Sequence, residues 1–328
     1  MTNGAFHRRA DLRLYRAAAL AALLIAPALA QEPAPEAPPR SGTEAPQVID
    51  EVIVRGRRLE EIEDDLRLHV REFIDEVVAT PPGRGFARWQ RRVCVGVYNL
   101  ETSAAQYIVD RVSSLALDVG LEPGEPGCSP QVNILFATNA SEAASAMVDD
   151  DRRLFMRVGG LAGMDLGRSA LDEFVKSDKA VRWWHVSMPV DAHTGLPAIE
   201  LMPATCAVAL CAPQVNVQGP SRVHNGTRDD LQYVIILVDA TKLKGTTWQQ
   251  LGDYLAVISL AQIDPKSNPA AFDSILNLFS NPAAYSGLTD WDRTYVRALY
   301  ALDQERIASI QKNEIVSRIA RRELEGDR

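Results

Sequence analysis

Two of the chain's five histidines, His185 and His193, fall with Asp191 inside the ten-residue run WHVSMPVDAH. Imidazoles and carboxylates bind transition metals and move protons near neutral pH. These three could therefore place metal-capable groups near a strand end. Their spacing matches no common zinc pattern, so surface or satisfied core positions are the expected places for them. His224 and Asp253 complete the set of candidate catalytic groups, and His69 stands alone on a helical segment.

The other chemistry-bearing residues are Cys94, Cys128, Cys206 and Cys211. An even count without a C-x-x-C pair points to disulfides rather than zinc in an exported protein. Three pairings are possible. Cys206 and Cys211 enclose only AVAL, while Cys94 and Cys128 flank an expected strand-helix-strand unit, so 94–128 with 206–211 is the preferred connectivity. There is no G-x-S-x-G elbow, no G-x-x-x-x-G-K-[ST] phosphate loop and no G-x-G-x-x-G dinucleotide turn, which removes support for the commonest motif-bearing enzymes.

Export is read from the N-terminus. Arg8, Arg9, Arg13 and Arg16 precede the apolar run Ala17 to Ala30, which ends in Ala28-Leu29-Ala30. This layout is that of a cleavable signal peptide over residues 1–30, and the run is shorter than the roughly 20 residues a membrane span requires. The expected location is periplasmic or secreted. Formal net charge is -8, and removing the leader's net +3 leaves a remainder near -11. Nucleic acid is a poor partner for such a surface, because phosphate binding needs clustered Lys and Arg.

Residues 31–47, QEPAPEAPPRSGTEAPQ, are too rich in Pro and small polar residues to repay ordering and read as a disordered linker. The next run, VIDEVIVRGRR, has β-branched residues up to Gly56 and reads as a short strand over 48–56. It resembles the D-E-I-V-V-T-G segment near the mature N-terminus of TonB-dependent receptors. That resemblance implies a strand able to add to a partner's sheet, although an edge strand of its own domain is the preferred reading. Leu59, Ile62, Leu66, Val70, Phe73 and Val77 then recur at helical spacing and predict an amphipathic helix over 59–78.

From residue 81 to 328 the pattern is that of one α+β domain. Strands are expected at 93–98, 132–137, 181–189 and 233–239. Helices are expected at 102–119, from the Asn139 cap through Phe155, and at 168–176, with the Gly-rich GGLAGMDLG between the last two. Trp183 and Trp184 should split between the two faces of a strand, one ring inside and one exposed. Everything beyond Thr247 reads as helix, with Thr289 and Asp292 forming a capping box.

Within that region, YVIILVDATKLKGTTWQQLGDYLAVISLAQID, FDSILNLF and LTDWDRTYVRALY resemble a family of uncharacterised exported alphaproteobacterial proteins. They are more distantly similar to zincin-like metallopeptidases, in which a strand leads to an H-E-x-x-H helix and a later L-T-x-x-D…L-Y segment packs nearby. The similarity covers residues 215–328. In a zincin, two His one turn apart bind zinc and the intervening Glu activates its water. Here Asp253, Tyr254 and Val257 occupy those places. The resemblance therefore implies a degenerate metallopeptidase fold with no zinc or other cofactor, in a non-catalytic binding or scaffolding protein. Its expected partner is an envelope protein or peptide. Asp253 is expected as a solvated or capping carboxylate. The alternatives are a hydrolase using His185, His193, His224 or Asp253, and an envelope-complex partner using strand 48–56.

Overall fold

A computed structural model describes residues 47–80, 84–155, 166–198 and 224–326. The expected signal peptide, all but the last residue of the linker, and Cys206 and Cys211 lie outside the described residues. In chain order the elements are α1 (Gln47–Val77), β1 (Arg92–Val93), β2 (Val95–Tyr98), α2 (Thr102–Asp118), β3 (Glu122–Pro123), β4 (Val132–Ala137), α3 (Ala140–Asp150), α4 (Arg152–Phe155), α5 (Gly167–Lys176), β5 (Val181–Asp191), β6 (Thr227–Asp239), α6 (Trp248–Leu260), α7 (Asp290–Tyr300) and α8 (Ala308–Gly326). The fold is α+β. No described helix is long and apolar enough to cross a membrane.

The main sheet has the order β2-β4-β6-β5, with β2, β4 and β6 parallel and β5 antiparallel at one edge. α2 makes the crossover between β2 and β4, as parallel neighbours require. Side chains of β4 alternate: Val132, Ile134 and Phe136 are buried on one face, where they meet α1, α2, α6, α7 and α8 in the larger core. On the other face Trp184 and Val186 of β5 and Ile235 and Leu237 of β6 meet α3, α5 and Phe155 in a second core. Cys94 and Cys128 are joined, which closes the β2-α2-β4 unit at its base.

Four expectations are corrected. Residues 48–56 are helical and belong to α1, not to a strand. The 3-4 spacing of Val52, Leu59, Ile62 and Leu66 outweighs the β-branched run, and Gly56 costs a helix only about 1 kcal/mol. The helix capped by Asn139 ends at Asp150, and Phe155 lies in the separate turn α4. Trp183 and Trp184 do point to opposite faces, but both are buried, because helices cover the sheet on each side. The chain beyond 247 is helical only in part: residues 261–289 run through short 3-10 turns between α6 and α7.

Candidate functional site

α6 begins with a capping box. Gln250 N–H donates to Thr247 Oγ1 at 3.2 Å, and Thr247 N–H donates to Gln250 Oε1 at 2.7 Å. From Gln250 to Leu260 every residue is buried, since the helix is enclosed by the sheet, α2 and the segment leading into α7. On this helix lie the three positions that the zincin resemblance singles out.

Asp253 is neither solvated nor a cap. Its Oδ1 accepts from Arg111 Nε of α2 at 2.8 Å and also from Arg111 Nη2, while Oδ2 accepts from Leu288 N–H at 2.8 Å. The carboxylate side chain is 4% exposed and the Arg111 side chain 33%. Two glycines make room for this tie. A Cβ at Gly252 would stand 2.7 Å from Arg111 Cγ, and one at Gly287 would stand 2.5 Å from Asp253 Oδ2. One side chain thus joins α2, α6 and the start of α7.

Tyr254 is set edge-on to Trp183 and Phe279, with ring centroids 6.4 and 5.0 Å away. Burial pushes its phenol above the ordinary range, so it stays protonated at neutral pH. Val257 is buried and carries no donor atom. The residues therefore do not fit the zinc ion that the resemblance implies: the carboxylate is fully engaged and the second ligand position is aliphatic.

Beside Tyr254 opens a cleft of about 190 Å³. Trp183, Tyr254, Leu276 and Phe279 form its apolar wall, and Lys179 and Asn277 supply polar edges. Those edges are engaged internally. Trp183 Nε1 donates to the Ile263 carbonyl at 2.9 Å, Asn277 Nδ2 donates to the Pro269 and Phe272 carbonyls at 2.9 Å, and Lys179 pairs with Glu173 at 3.2 Å. Pockets for drug-sized ligands hold about 300 Å³ or more. The cleft is sized for a single side chain or similarly small group.

The other candidates are scattered. His185 is fully buried on β5, its Nε2 2.8 Å from the Ile258 carbonyl, and burial lowers its pKa to about 4. Asp191 accepts from the N–H groups of His193 and Thr194 at 3.0 and 2.7 Å, which organises the turn after β5. His193 and His224 are exposed. No group of three or more His, Cys, Asp or Glu able to hold a metal occurs among the described residues.

Sequence reasoning missed the buried polar cluster at the start of β6. Asp229 accepts from Arg84 Nε and from the Gly85 N–H at 2.9 Å, and Arg84 Nη2 reaches Ser187 Oγ at 3.2 Å. Asp230 accepts from Arg228 Nε at 3.0 Å and Gln90 Nε2 at 2.6 Å, and Gln304 bonds Gln90, Arg88 and the Asp229 carbonyl. Burial raises both carboxyls, opposed by Arg84 and Arg228. No local signal in the sequence joins Arg84 to Asp229. Both carboxylates have partners, and the cluster fastens the 84–92 segment and the chain after α7 to the sheet.

Comparison with protein-family models, with curated proteins and with solved structures found no match to this chain.

Proposed function

We propose that the chain is a non-catalytic binding or scaffolding protein of the bacterial periplasm or cell envelope, built on a degenerate metallopeptidase-like frame. The observation that carries this reading is the Arg111–Asp253–Leu288 tie, which turns the position of a first metal ligand into a structural fastening. Two further features support it. β6 leads into α6, and the LTDWDRTYVRALY segment follows that helix in the order the resemblance implies. The charged N-terminus, the apolar run and the Cys94–Cys128 disulfide fit an exported chain. The cleft at Tyr254 is the proposed seat for one apolar side chain of an envelope protein or peptide.

The test has two arms. Protein purified without chelator is assayed for zinc and for cleavage of an unfolded protein substrate with and without chelator. Substoichiometric zinc and no chelator-sensitive cleavage are expected; one zinc per chain with cleavage that chelator abolishes overturns the reading. Short peptides carrying one large apolar residue are then titrated against tryptophan fluorescence. A saturable change that Leu276→Trp removes by filling the cleft is expected, and its absence for all such peptides rejects the seat.

A further inference from the structure

A second cleft, of about 220 Å³, lies between α7 and α8. Thr294, Arg297, Ala298 and Ala301 supply one wall, and Arg318 and Arg322 the other. The first four recur at three- and four-residue steps, which keeps them on one face of α7 and its C-cap. Arg318 and Arg322 stand one turn apart on α8, a spacing at which like charges work against the helix. The short side chains of Ala298 and Ala301 leave the space between the arginines open. No carboxylate stands among the described residues that line the cleft, in a chain whose formal net charge is -8.

Ion pairs use only part of this charge. Arg297 donates to Asp118 through Nε at 2.9 Å and Nη2 at 2.5 Å, and Arg293 reaches the same carboxylate at 3.5 Å. Arg318 donates to Glu314 through Nε at 3.0 Å and Nη2 at 2.7 Å. A guanidinium carries five N–H donors, so Arg297 and Arg318 each keep Nη1 for another acceptor. Arg322 and the Thr294 hydroxyl have no partner among the described residues. Asp290 acts on Arg297 from beyond ion-pair distance. Arg297 has a structural reason for its place, in the last turn of α7 where the macrodipole favours a cation. Arg322 precedes the last turn of α8 and has no such reason. Arg293, Arg297, Arg318 and Arg322 thus share two ion-paired carboxylates, Asp118 and Glu314. The surplus of two positive charges matches a phosphate near neutral pH, which carries about -2. Guanidinium forks suit phosphate oxygens, and a volume below the roughly 300 Å³ of drug-sized pockets suits one such group rather than a polymer.

We propose that the cleft between α7 and α8 binds one phosphate dianion, free in solution or as the phosphomonoester headgroup of a lipid. The inference is independent of the cleft at Tyr254 and of any catalytic reading. Titration calorimetry of the full chain with inorganic phosphate at neutral pH should give saturable one-to-one binding below about 10 mM. Arg322→Ala removes an exposed, unpaired side chain and should weaken binding about tenfold or more with no change in Tm. Ala301→Leu keeps every charge but fills the exposed end of the cleft, and should weaken binding to a similar degree. Succinate, whose two charges are held apart by its carbon chain, should bind about fivefold more weakly than phosphate. Sedimentation with phosphatidylcholine vesicles, with and without phosphatidic acid, separates the two sources. Uptake that requires phosphatidic acid and falls in Ala301→Leu places the phosphate on a lipid, and binding of free phosphate without such uptake places it in solution. The absence of saturable binding to both inorganic phosphate and phosphatidic acid vesicles overturns the proposal. So does binding that Arg322→Ala or Ala301→Leu leaves unchanged, and succinate bound as tightly as phosphate rejects phosphate as the ligand class.

Discussion

Removing either partner of the Arg111–Asp253 pair should destabilise the domain unequally, and the inequality follows from their exposure. Arg111→Ala leaves a carboxylate that is 4% exposed with only the Leu288 N–H to bond it. Stranding a buried charge costs about 3 kcal/mol or more. Asp253→Ala leaves a guanidinium whose side chain is 33% exposed. Water can rehydrate it, so the loss is that of the hydrogen bonds and the Leu288 acceptor, about 2 kcal/mol. The double variant removes the stranded charge and should cost about 2 kcal/mol rather than the sum, a coupling of about 3 kcal/mol. Urea unfolding followed by circular dichroism measures this as shifts in midpoint at constant slope. For Arg111→Ala the accompanying fall in Tm is on the order of 10 °C. Additive single variants, or an Arg111→Ala cost below that of Asp253→Ala, would refute the reading of position 253 as a buried fastening.

Two more outcomes follow from buried groups. His185 has a folded pKa of about 4, below its unfolded value, so the unfolded chain binds a proton that the folded chain does not between about pH 6.5 and 4. Stability should fall as pH drops through that window, by about 3 kcal/mol in all from this group, with no contribution above it. His185→Leu should lose that part of the slope, and identical pH profiles for the two proteins would contradict the assignment. Cys94→Ser with Cys128→Ser opens a loop with a sequence separation of 34 and should cost about 4 kcal/mol. Thermal unfolding with and without reductant checks it, because reduction should lower the parent's Tm by more than the variant's.

Local signals in the sequence are good guides and long-range ones are silent. The Asn139 cap accepts from Glu142 N–H at 3.2 Å, and Thr289 and Asp292 form their box, because both partners lie within one turn. The strand 132–137 is legible as a short apolar run, and its alternation appears only in the burial of the folded chain. The site is not. Asp253 depends on Arg111, 142 residues away, and a sequence cannot show that Gly252 and Gly287 exist to let those side chains meet. Trp183 and Trp184 give the right alternation and the wrong exposure, since nothing local to β5 announces the helices on its far face. Residues 48–56 read as a strand because Val and Ile favour strands locally, while the helical spacing of Val52, Leu59, Ile62 and Leu66 shows only over several turns.

The bond between Cys94 and Cys128 also sets how the chain yields to force. Tension applied at the two ends of the protein passes from residue 94 to residue 128 through sulfur and bypasses the intervening helix and turn. In a single-molecule stretching trace, the oxidised protein should come up short of the reduced one by about 120 Å, from roughly 3.4 Å per residue over the bridged segment.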